Sequence, residues 1–177
     1  METELLNIES VSSEQKTAAL RKAGEIIREG GLVAFPTETV YGLGADALNA
    51  EAAAKIYAAK GRPSDNPLIV HIHDISQVYE IAEEVPDEAK AVMEKFWPGP
   101  LTIILNKKSC VPDGTTGGLH TVAIRMPSHP IARDFIRESG RMIAAPSANT
   151  SGRPSPTLAS HVYEDMQGRI PLILDGG

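Results

Sequence analysis

The chain has 177 residues, of which 42% are hydrophobic and 23% charged, and a globular chain of this length buries roughly 70% of its unfolded surface. Its net charge of −6 excludes non-specific wrapping of nucleic acid driven by total charge. The single cysteine, Cys110, excludes an intramolecular disulfide framework and favours a cytoplasmic location. An acidic N-terminus and the lack of an apolar run of about 18 residues predict no signal peptide and no membrane span. We therefore expect one domain over residues 1–177, with any anion site built locally.

Helices and short apolar strands alternate in the predicted structure. Ser12 and Gln15 form a capping-box pattern at the start of a helix that ends at Gly30, and Asn49 caps a second helix that ends near Lys60. Further helices are predicted at about 76–84, at about 87–97, from 129 to 140 with Ser128 as the cap, and after 157. Strands are predicted at 32–35, 68–72, 101–105, 121–126, 142–145 and 172–174.

The connection between the strands at 101–105 and 121–126 decides the kind of sheet. Its loop, 107–119, is rich in glycine and poor in helix signals, which suits an antiparallel pair better than a right-handed crossover. The sequence therefore predicts an α/β fold with a mixed sheet.

Polar loops follow four of the predicted strands, those that end at Phe35, Ile72, Arg125 and Ala145. Ligands in open α/β sheets bind beyond the carboxyl ends of strands, so we expect one crevice to gather all four loops. The first of these loops, 36–44, contains two closely spaced glycines but lacks the third glycine of a dinucleotide fingerprint. Rossmann-type binding is therefore not predicted.

Two cations, Lys60 and Arg62, stand at the end of the second predicted helix. They can stabilise the helix dipole beside a left-handed cap at Gly61, or they can bind an anion. The following stretch, 63–67, combines two prolines with three short polar side chains, which favours a rigid loop that faces phosphate. A planar guanidinium beside a point-charge ammonium suits a polyphosphate.

The loop at 146–152 is, by composition, typical of an ordinary turn. Ser147 and Asn149 lie two residues apart after a predicted buried strand, so they can also present a hydroxyl and an amide to one ligand.

Arg125, His71 and His73 are the other candidate site residues. Arg125 ends an apolar strand, where burying it unpaired costs several kcal/mol; a carboxylate or phosphate partner is favoured, with a structural ion pair as the alternative. His71 and His73 alternate along a strand and could pair as metal ligands. Without a third ligand at suitable spacing, a core or substrate-facing histidine is favoured. The run 97–100 indicates a helix stop with a packed tryptophan.

Five segments, in order, closely resemble the YrdC-like family, the threonylcarbamoyl-AMP synthases. They are GLVAFPTETVYGLG at 31–44, KGRPSDNPLIVH at 60–71, FWPGPLT at 96–102, VAIRMP at 122–127 and APSANTSG at 145–152. The resemblance implies a single-domain, twisted open sheet flanked by helices, with a concave, positively charged cavity. It also implies a reaction that joins L-threonine, bicarbonate and ATP into threonylcarbamoyl-adenylate and pyrophosphate for tRNA modification.

By matching position, the resemblance implies an ATP side and a threonine side. Lys60 and Arg62 are the implied catalytic residues and hold the ATP phosphates. The other nucleotide-binding residues that it implies are Asn66, Thr121, Ser147, Asn149 and Ser155. L-Threonine is expected to contact Thr39, His71, Arg125 and the backbone at Ala145. The implied cofactor is Mg²⁺, carried by ATP phosphates and water rather than by protein ligands.

Two alternatives stay open. A related domain in HypF-type carbamoyltransferases forms a carbamoyl adenylate and needs no threonine. A non-catalytic RNA-binding module is the second, although the acidic net charge and the lack of stacking aromatic residues weigh against it.

The resemblance also implies partners. It implies that the product passes to the threonylcarbamoyl transfer machinery, leaves weak or indirect tRNA binding open and gives no membrane partner. Family members usually continue beyond the position of Gly177 with a Ser-Thr pair and an arginine that contact the substrates, and the 177 residues do not include these.

Overall fold

The fold is given by a computed structural model, which describes residues 1–61, 67–150 and 152–176. Its strands are β1 (Glu4–Asn7), β2 (Val33–Phe35), β3 (Gly42–Asp46), β4 (Ile69–His71), β5 (Ile103–Asn106), β6 (Thr121–Arg125), β7 (Ile143–Ala145) and β8 (Leu172–Asp175). Its helices are α1 (Ser13–Arg28), α2 (Ala50–Lys60), α3 (Val78–Ile81), α4 (Asp87–Phe96), α5 (Asp113–Thr116), α6 (Pro130–Ser139) and α7 (Ala159–Met166), with a 3₁₀ turn at Ile75–Gln77. The predicted α/β class is confirmed. None of the helices in these ranges is long and apolar enough to cross a membrane.

Local capping signals set the ends of the two longest helices, as predicted. The Ser12 hydroxyl accepts a hydrogen bond from the Gln15 amide, and the Gln15 side chain accepts one from the Ser12 amide, both at 3.2 Å. Asn49 accepts from two amides in the first turn of α2, at 3.0 and 3.1 Å. Gly61 ends α2 with a φ of 68°. These contacts satisfy backbone groups that a helix end leaves without partners.

Several elements differ from the predicted ones. β1 and β3 were not predicted, because β1 is mostly exposed and β3 begins with Gly42, which the turn-like sequence placed in a loop. The segment 107–119 contains the short helix α5, and the helix predicted at 76–84 is a 3₁₀ turn followed by α3. His129, rather than Ser128, caps α6, and its Nδ1 accepts from the Ile131 amide at 3.1 Å.

The strands described form one mixed sheet of eight, in the order β1-β8-β2-β3-β7-β4-β6-β5. β1, β8 and β2 are parallel, and β3 is antiparallel to both β2 and β7. β4 is antiparallel to β7 and parallel to β6, while β5 is antiparallel to β6, as the loop 107–119 predicted. β2 and β7 therefore run in one direction, and β4 and β6 run in the other.

These directions correct the expectation that four strand ends share one edge. Phe35 and Ala145 end β2 and β7 at one edge of the sheet, whereas His71 and Arg125 end β4 and β6 at the opposite edge. The carboxyl-end rule assumes parallel strands, and the antiparallel pairing of β4 with β7 breaks that condition. The candidate residues meet instead across one face of the sheet.

The two faces of the sheet are covered unequally. One face packs on α2, α3, α4 and α7 in the larger apolar core. The other face packs on α1 and α6 over β8, β2 and β7, which leaves its part over β4, β6 and β5 less covered. We call that part the open face, and its residues, which share one side by register, are Ile69, His71, Ile104, Thr121, Ala123 and Arg125. Ile104 is 66% exposed.

Candidate functional site

Arg125 lies on the open face at the end of β6. Its side chain is only 8% exposed, and each of its three nitrogens has a partner. Nε donates to the Gly99 carbonyl at 3.2 Å, Nη1 donates to the Thr39 hydroxyl at 3.3 Å, and Nη2 donates to the Glu38 carboxylate. Burial lowers the pKa of Arg125 although the Glu38 charge opposes it, and a guanidinium remains charged at neutral pH.

Glu38 is tied to a second element as well as to Arg125. While Oε1 accepts from Arg125, Oε2 accepts from the amide of Ser128 at 2.7 Å and from its hydroxyl at 2.6 Å. Burial raises the pKa of Glu38, but the bonds from Ser128 and the charge of Arg125 together bring it below the ordinary value. The carboxylate is therefore ionised at neutral pH, and it joins the β2–β3 loop to the chain just beyond the end of β6.

His71 lies beside Arg125 on the open face, because the two residues pair in register on β4 and β6. It is 4% exposed, and its Nδ1 lies 3.0 Å from the Ile69 carbonyl. A carbonyl only accepts, so Nδ1 carries the proton. Burial, with a contribution from Arg125, lowers the pKa of His71 to about 4. His71 is therefore neutral at pH 7.

The ring of Phe35 fixes one side of His71. The two rings meet edge to face, with centroids 5.8 Å apart. The Phe35 ring lies over β3, one of the two strands between β2 and β4, where a Cβ on Gly42 would lie 3.1 Å from the ring and one on Gly44 would lie 2.9 Å from it. The glycine pair in the sequence thus makes room for an aromatic side chain.

The residues predicted to contact L-threonine lie in one region of the structure. Thr39 contacts Arg125 directly, and Thr39 is in turn held by Thr37, whose hydroxyl lies 3.1 Å from the Thr39 hydroxyl. Ala145 is buried at 2% exposure and pairs with Ile69, two residues before His71 on β4. Thr39, His71, Arg125 and Ala145 therefore lie on or beside the open face.

Part of the predicted ATP side is also brought together. Lys60 is 1% exposed, and its Nζ donates to the backbone carbonyl of Ser147. The Ser147 hydroxyl donates to Asn149 Oδ1, while Asn149 Nδ2 donates to two carbonyls of its own loop, at 2.9 and 2.7 Å. Asn149 therefore shapes the loop that follows β7, in addition to the nucleotide role predicted for it.

The remaining residues predicted to contact ATP are Thr121, Ser155, Arg62 and Asn66. Thr121 starts β6 and pairs with Asn106 at the end of the open face where β7 ends. Ser155 is exposed and belongs to the loop that Asn149 shapes, two residues beyond the Arg153 carbonyl that Asn149 contacts. Arg62 and Asn66 lie outside the described residues, so their nucleotide contacts stay predictions.

The pairing of His71 with His73 as metal ligands is not favoured by the structure. β4 ends at His71, and the amide of His73 donates to the Gln77 side chain at 2.8 Å as the chain turns away. In the ranges 1–61, 67–150 and 152–176, no group of three metal-binding side chains comes together.

Three residues that hold Arg125 or its partner were not predicted: Glu38, Gly99 and Ser128. The run 97–100, which contains Gly99, indicated a helix stop with a packed tryptophan and no contact with Arg125. Trp97 does pack there, at 6% exposure. The signal for Glu38 was available in principle, since a buried arginine needs an anionic partner. Nothing local to Arg125 says which of the 23 acidic residues supplies it.

Comparison with known proteins identifies the family of this chain. The Sua5/YciO/YrdC family model, described as "Telomere recombination", matches residues 25–177. A curated threonylcarbamoyl-AMP synthase of Bacillus subtilis is 60% identical over 162 residues, which are 89% of this chain and 46% of that protein. Another, of Pyrococcus abyssi, is 55% identical over 175 residues, which are 99% of this chain and 51% of that protein.

A solved structure is equally similar. The crystal structure of P. abyssi Sua5 complexed with L-threonine has a TM-score of 0.93 to this chain at 55% identity, over 98% of this chain and 50% of that one. The chain thus spans about half the length of these relatives. Because the family model covers most of its residues, the chain belongs to the Sua5/YciO/YrdC family.

Proposed function

We propose that this chain carries the substrate site of a threonylcarbamoyl-AMP synthase, which joins L-threonine, bicarbonate and ATP into threonylcarbamoyl-adenylate and pyrophosphate. Relatives with this name are 55% and 60% identical to it, and a similar structure was solved with L-threonine. The observation that carries the proposal is Arg125, a buried cation at the end of β6 on the open face, with a partner at each of its three nitrogens.

Arg125 is the natural partner for the carboxylate of L-threonine. Its five N–H groups exceed the three contacts described above, so donors remain for a second carboxylate. Thr39 beside it, neutral His71 and the backbone at Ala145 are the further threonine contacts that we propose. A neutral imidazole avoids adding a second charge beside the guanidinium.

Lys60 marks the ATP end of the same site. We propose that Lys60 and Arg62 balance the charge of the phosphates, with Asn66, Thr121, Ser147, Asn149 and Ser155 also on the nucleotide side. The burial of Lys60 next to Ser147 supports this arrangement, since a desolvated cation interacts strongly with a phosphate. Mg²⁺ is expected to arrive with ATP, with phosphate oxygens and water as its main ligands.

The residues described orient reactants rather than form a covalent intermediate. The amine of threonine captures bicarbonate or dissolved carbon dioxide as a carbamate. A carbamate oxygen then attacks the α-phosphorus of ATP, and pyrophosphate leaves with the electron pair of the broken P–O bond. Orienting both substrates and offsetting the phosphate charge are sufficient roles for these side chains.

The product and its destination complete the proposal. Threonylcarbamoyl-adenylate is used for tRNA threonylcarbamoyladenosine modification, so we propose a cytoplasmic protein that hands its product to a threonylcarbamoyl transfer machinery. We further propose that Lys60 and Arg62 supply the positive charge expected of the cavity, because the charge of Arg125 is already paired with Glu38.

A pyrophosphate-release assay tests the proposal. We expect release from MgATP and bicarbonate that depends on L-threonine and falls at least about 10²-fold in Lys60→Ala or Arg62→Ala, the usual scale for a charge-stabilising donor. Release driven by carbamoyl phosphate without threonine would favour the HypF-type reaction instead. Calorimetry extends the test, because we expect L-threonine to bind while L-serine, which lacks the methyl group, does not bind detectably.

Filter binding with tRNA tests the remaining alternative. An RNA-binding module predicts retention that weakens steeply as salt rises. Strong, salt-sensitive retention together with no threonine-dependent pyrophosphate release would replace the enzyme proposal with that module.

A further inference from the structure

Glu38 and the substrate carboxylate would bind the same group, the guanidinium of Arg125. The Glu38 side chain is 21% exposed and pairs with Arg125, the residue to which we assign the threonine carboxylate. Glu38 is therefore either a competitor that must leave or a fixed part of the site. The contacts on its second oxygen distinguish these two roles.

The second oxygen of Glu38 is anchored independently of Arg125. Ser128 donates to it from both its backbone amide and its hydroxyl, at 2.7 and 2.6 Å. Both are hydrogen bonds to a charged acceptor, which are roughly twice as strong as neutral ones. Releasing Glu38 would leave a carboxylate, a guanidinium and two donors to find new partners, so the carboxylate belongs to the resting framework of the site.

Fixing Glu38 also fixes the plane of the guanidinium. The Gly99 carbonyl holds Nε on one side, and Glu38 holds Nη2 on another. A planar group held at two of its three nitrogens has one orientation, and its unused N–H groups point in set directions. A carboxylate recognised by two N–H groups is sensitive to that orientation.

We propose that Glu38 is a positioning residue for amino-acid binding: clamped by Ser128, it orients Arg125 so that the guanidinium receives the carboxylate of L-threonine. This inference rests on the proposed function. It assigns to the β2–β3 loop a specific task, which is to reach across the open face and set the geometry of a residue on β6.

Kinetics of Glu38→Gln test the inference. The substitution keeps the size of the side chain but removes its charge and one acceptor oxygen. We expect the KM for L-threonine to rise about tenfold, the scale of one hydrogen bond between charged groups, while the KM for ATP and kcat change less than about threefold. Ser128→Ala, which loosens the clamp but keeps the Glu38–Arg125 pair, should give a smaller rise in the same constant. Glu84→Gln, on an exposed surface, is the matched control and should behave as wild type.

The outcomes separate this inference from the proposed function. Calorimetry with L-threonine and thermal unfolding accompany the kinetics, so that a loss of folding is recognised and Ser128→Ala then decides. An unchanged KM for threonine overturns the inference, and a lowered KM also does, since it identifies Glu38 as a competitor for the guanidinium. A wild-type protein that neither binds threonine nor releases pyrophosphate overturns both proposals.

Discussion

Lys60 donates a hydrogen bond from its buried Nζ to the backbone carbonyl of Ser147, 87 residues further along the chain. This contact joins the end of α2 on one side of the sheet to the loop that follows β7. The family resemblance implies that both residues bind ATP, and the structure brings them into contact. Lys60 is thus held at the edge of the sheet where β7 ends.

Replacing Lys60 with methionine tests its charge while keeping the length of the side chain. We expect threonine-dependent pyrophosphate release to fall by about 10²-fold, because a preorganised charge beside the phosphates is lost. Lys55→Met is the control, since Lys55 lies on the same helix and also donates to a carbonyl, that of Gly30, at 2.9 Å. Equal losses in the two variants would mean that Lys60 only supports the fold.

Local signals were sufficient for part of this arrangement. Asn49 and Gly61 set the two ends of α2 through contacts within a few residues. The sequence was therefore sufficient to place Lys60 at a helix end. The partner of Arg125 could not be found in this way, because Glu38 lies 87 residues away along the chain, in the β2–β3 loop. β3 was missed for a related reason: Gly42 and Gly44 resemble turn residues, and they are explained only by side chains that pack over them, the Phe35 ring at both glycines and Ile143 at Gly44.

A substitution at Gly44 tests that explanation. A Cβ on Gly44 would lie 2.7 Å from Ile143 Cγ2 and 2.9 Å from the Phe35 ring. We expect Gly44→Ala to lower the free energy of unfolding in urea by about 1–3 kcal/mol, the usual cost of overpacking a core. Gly114→Ala is the control, because its nearest neighbours would lie 3.8 Å away and alanine favours a helix. Equal stabilities of Gly44→Ala and wild type would refute this role of the glycine.

The Gly99 carbonyl, which accepts a hydrogen bond from Arg125, allows a second test of how Arg125 is held. A Cβ there would lie 2.7 Å from the Phe96 carbonyl oxygen, so the backbone must move, and with it the carbonyl that accepts from Arg125 Nε at 3.2 Å. We expect Gly99→Ala to raise the KM for L-threonine by about tenfold.

A double-mutant cycle with Arg125→Lys shows whether that effect acts through the guanidinium. Lysine has no Nε–H in this position, so adding Gly99→Ala to Arg125→Lys should change the threonine KM little. Fully additive effects of the two substitutions would indicate that Gly99 acts on the site by another route.

The buried His71 predicts a specific dependence of stability on pH. Its pKa of about 4 in the folded protein lies below the ordinary value of about 6.5, so the unfolded chain binds a proton that the folded chain refuses. The stabilising contribution is complete above about pH 6.5 and is lost as pH falls towards about 4, for a total of about 3 kcal/mol.

Urea unfolding of wild type and His71→Asn at several pH values isolates that contribution from the carboxylates, which titrate in both proteins. The stability difference between them should shrink by about 2 kcal/mol between about pH 7 and about pH 5, because the asparagine side chain has no proton to gain. His161→Asn, at an exposed position, should follow the wild-type curve throughout. Parallel curves for wild type and His71→Asn would show that His71 is protonated in the folded protein as readily as in the unfolded chain, and they would refute the lowered pKa that burial gives it.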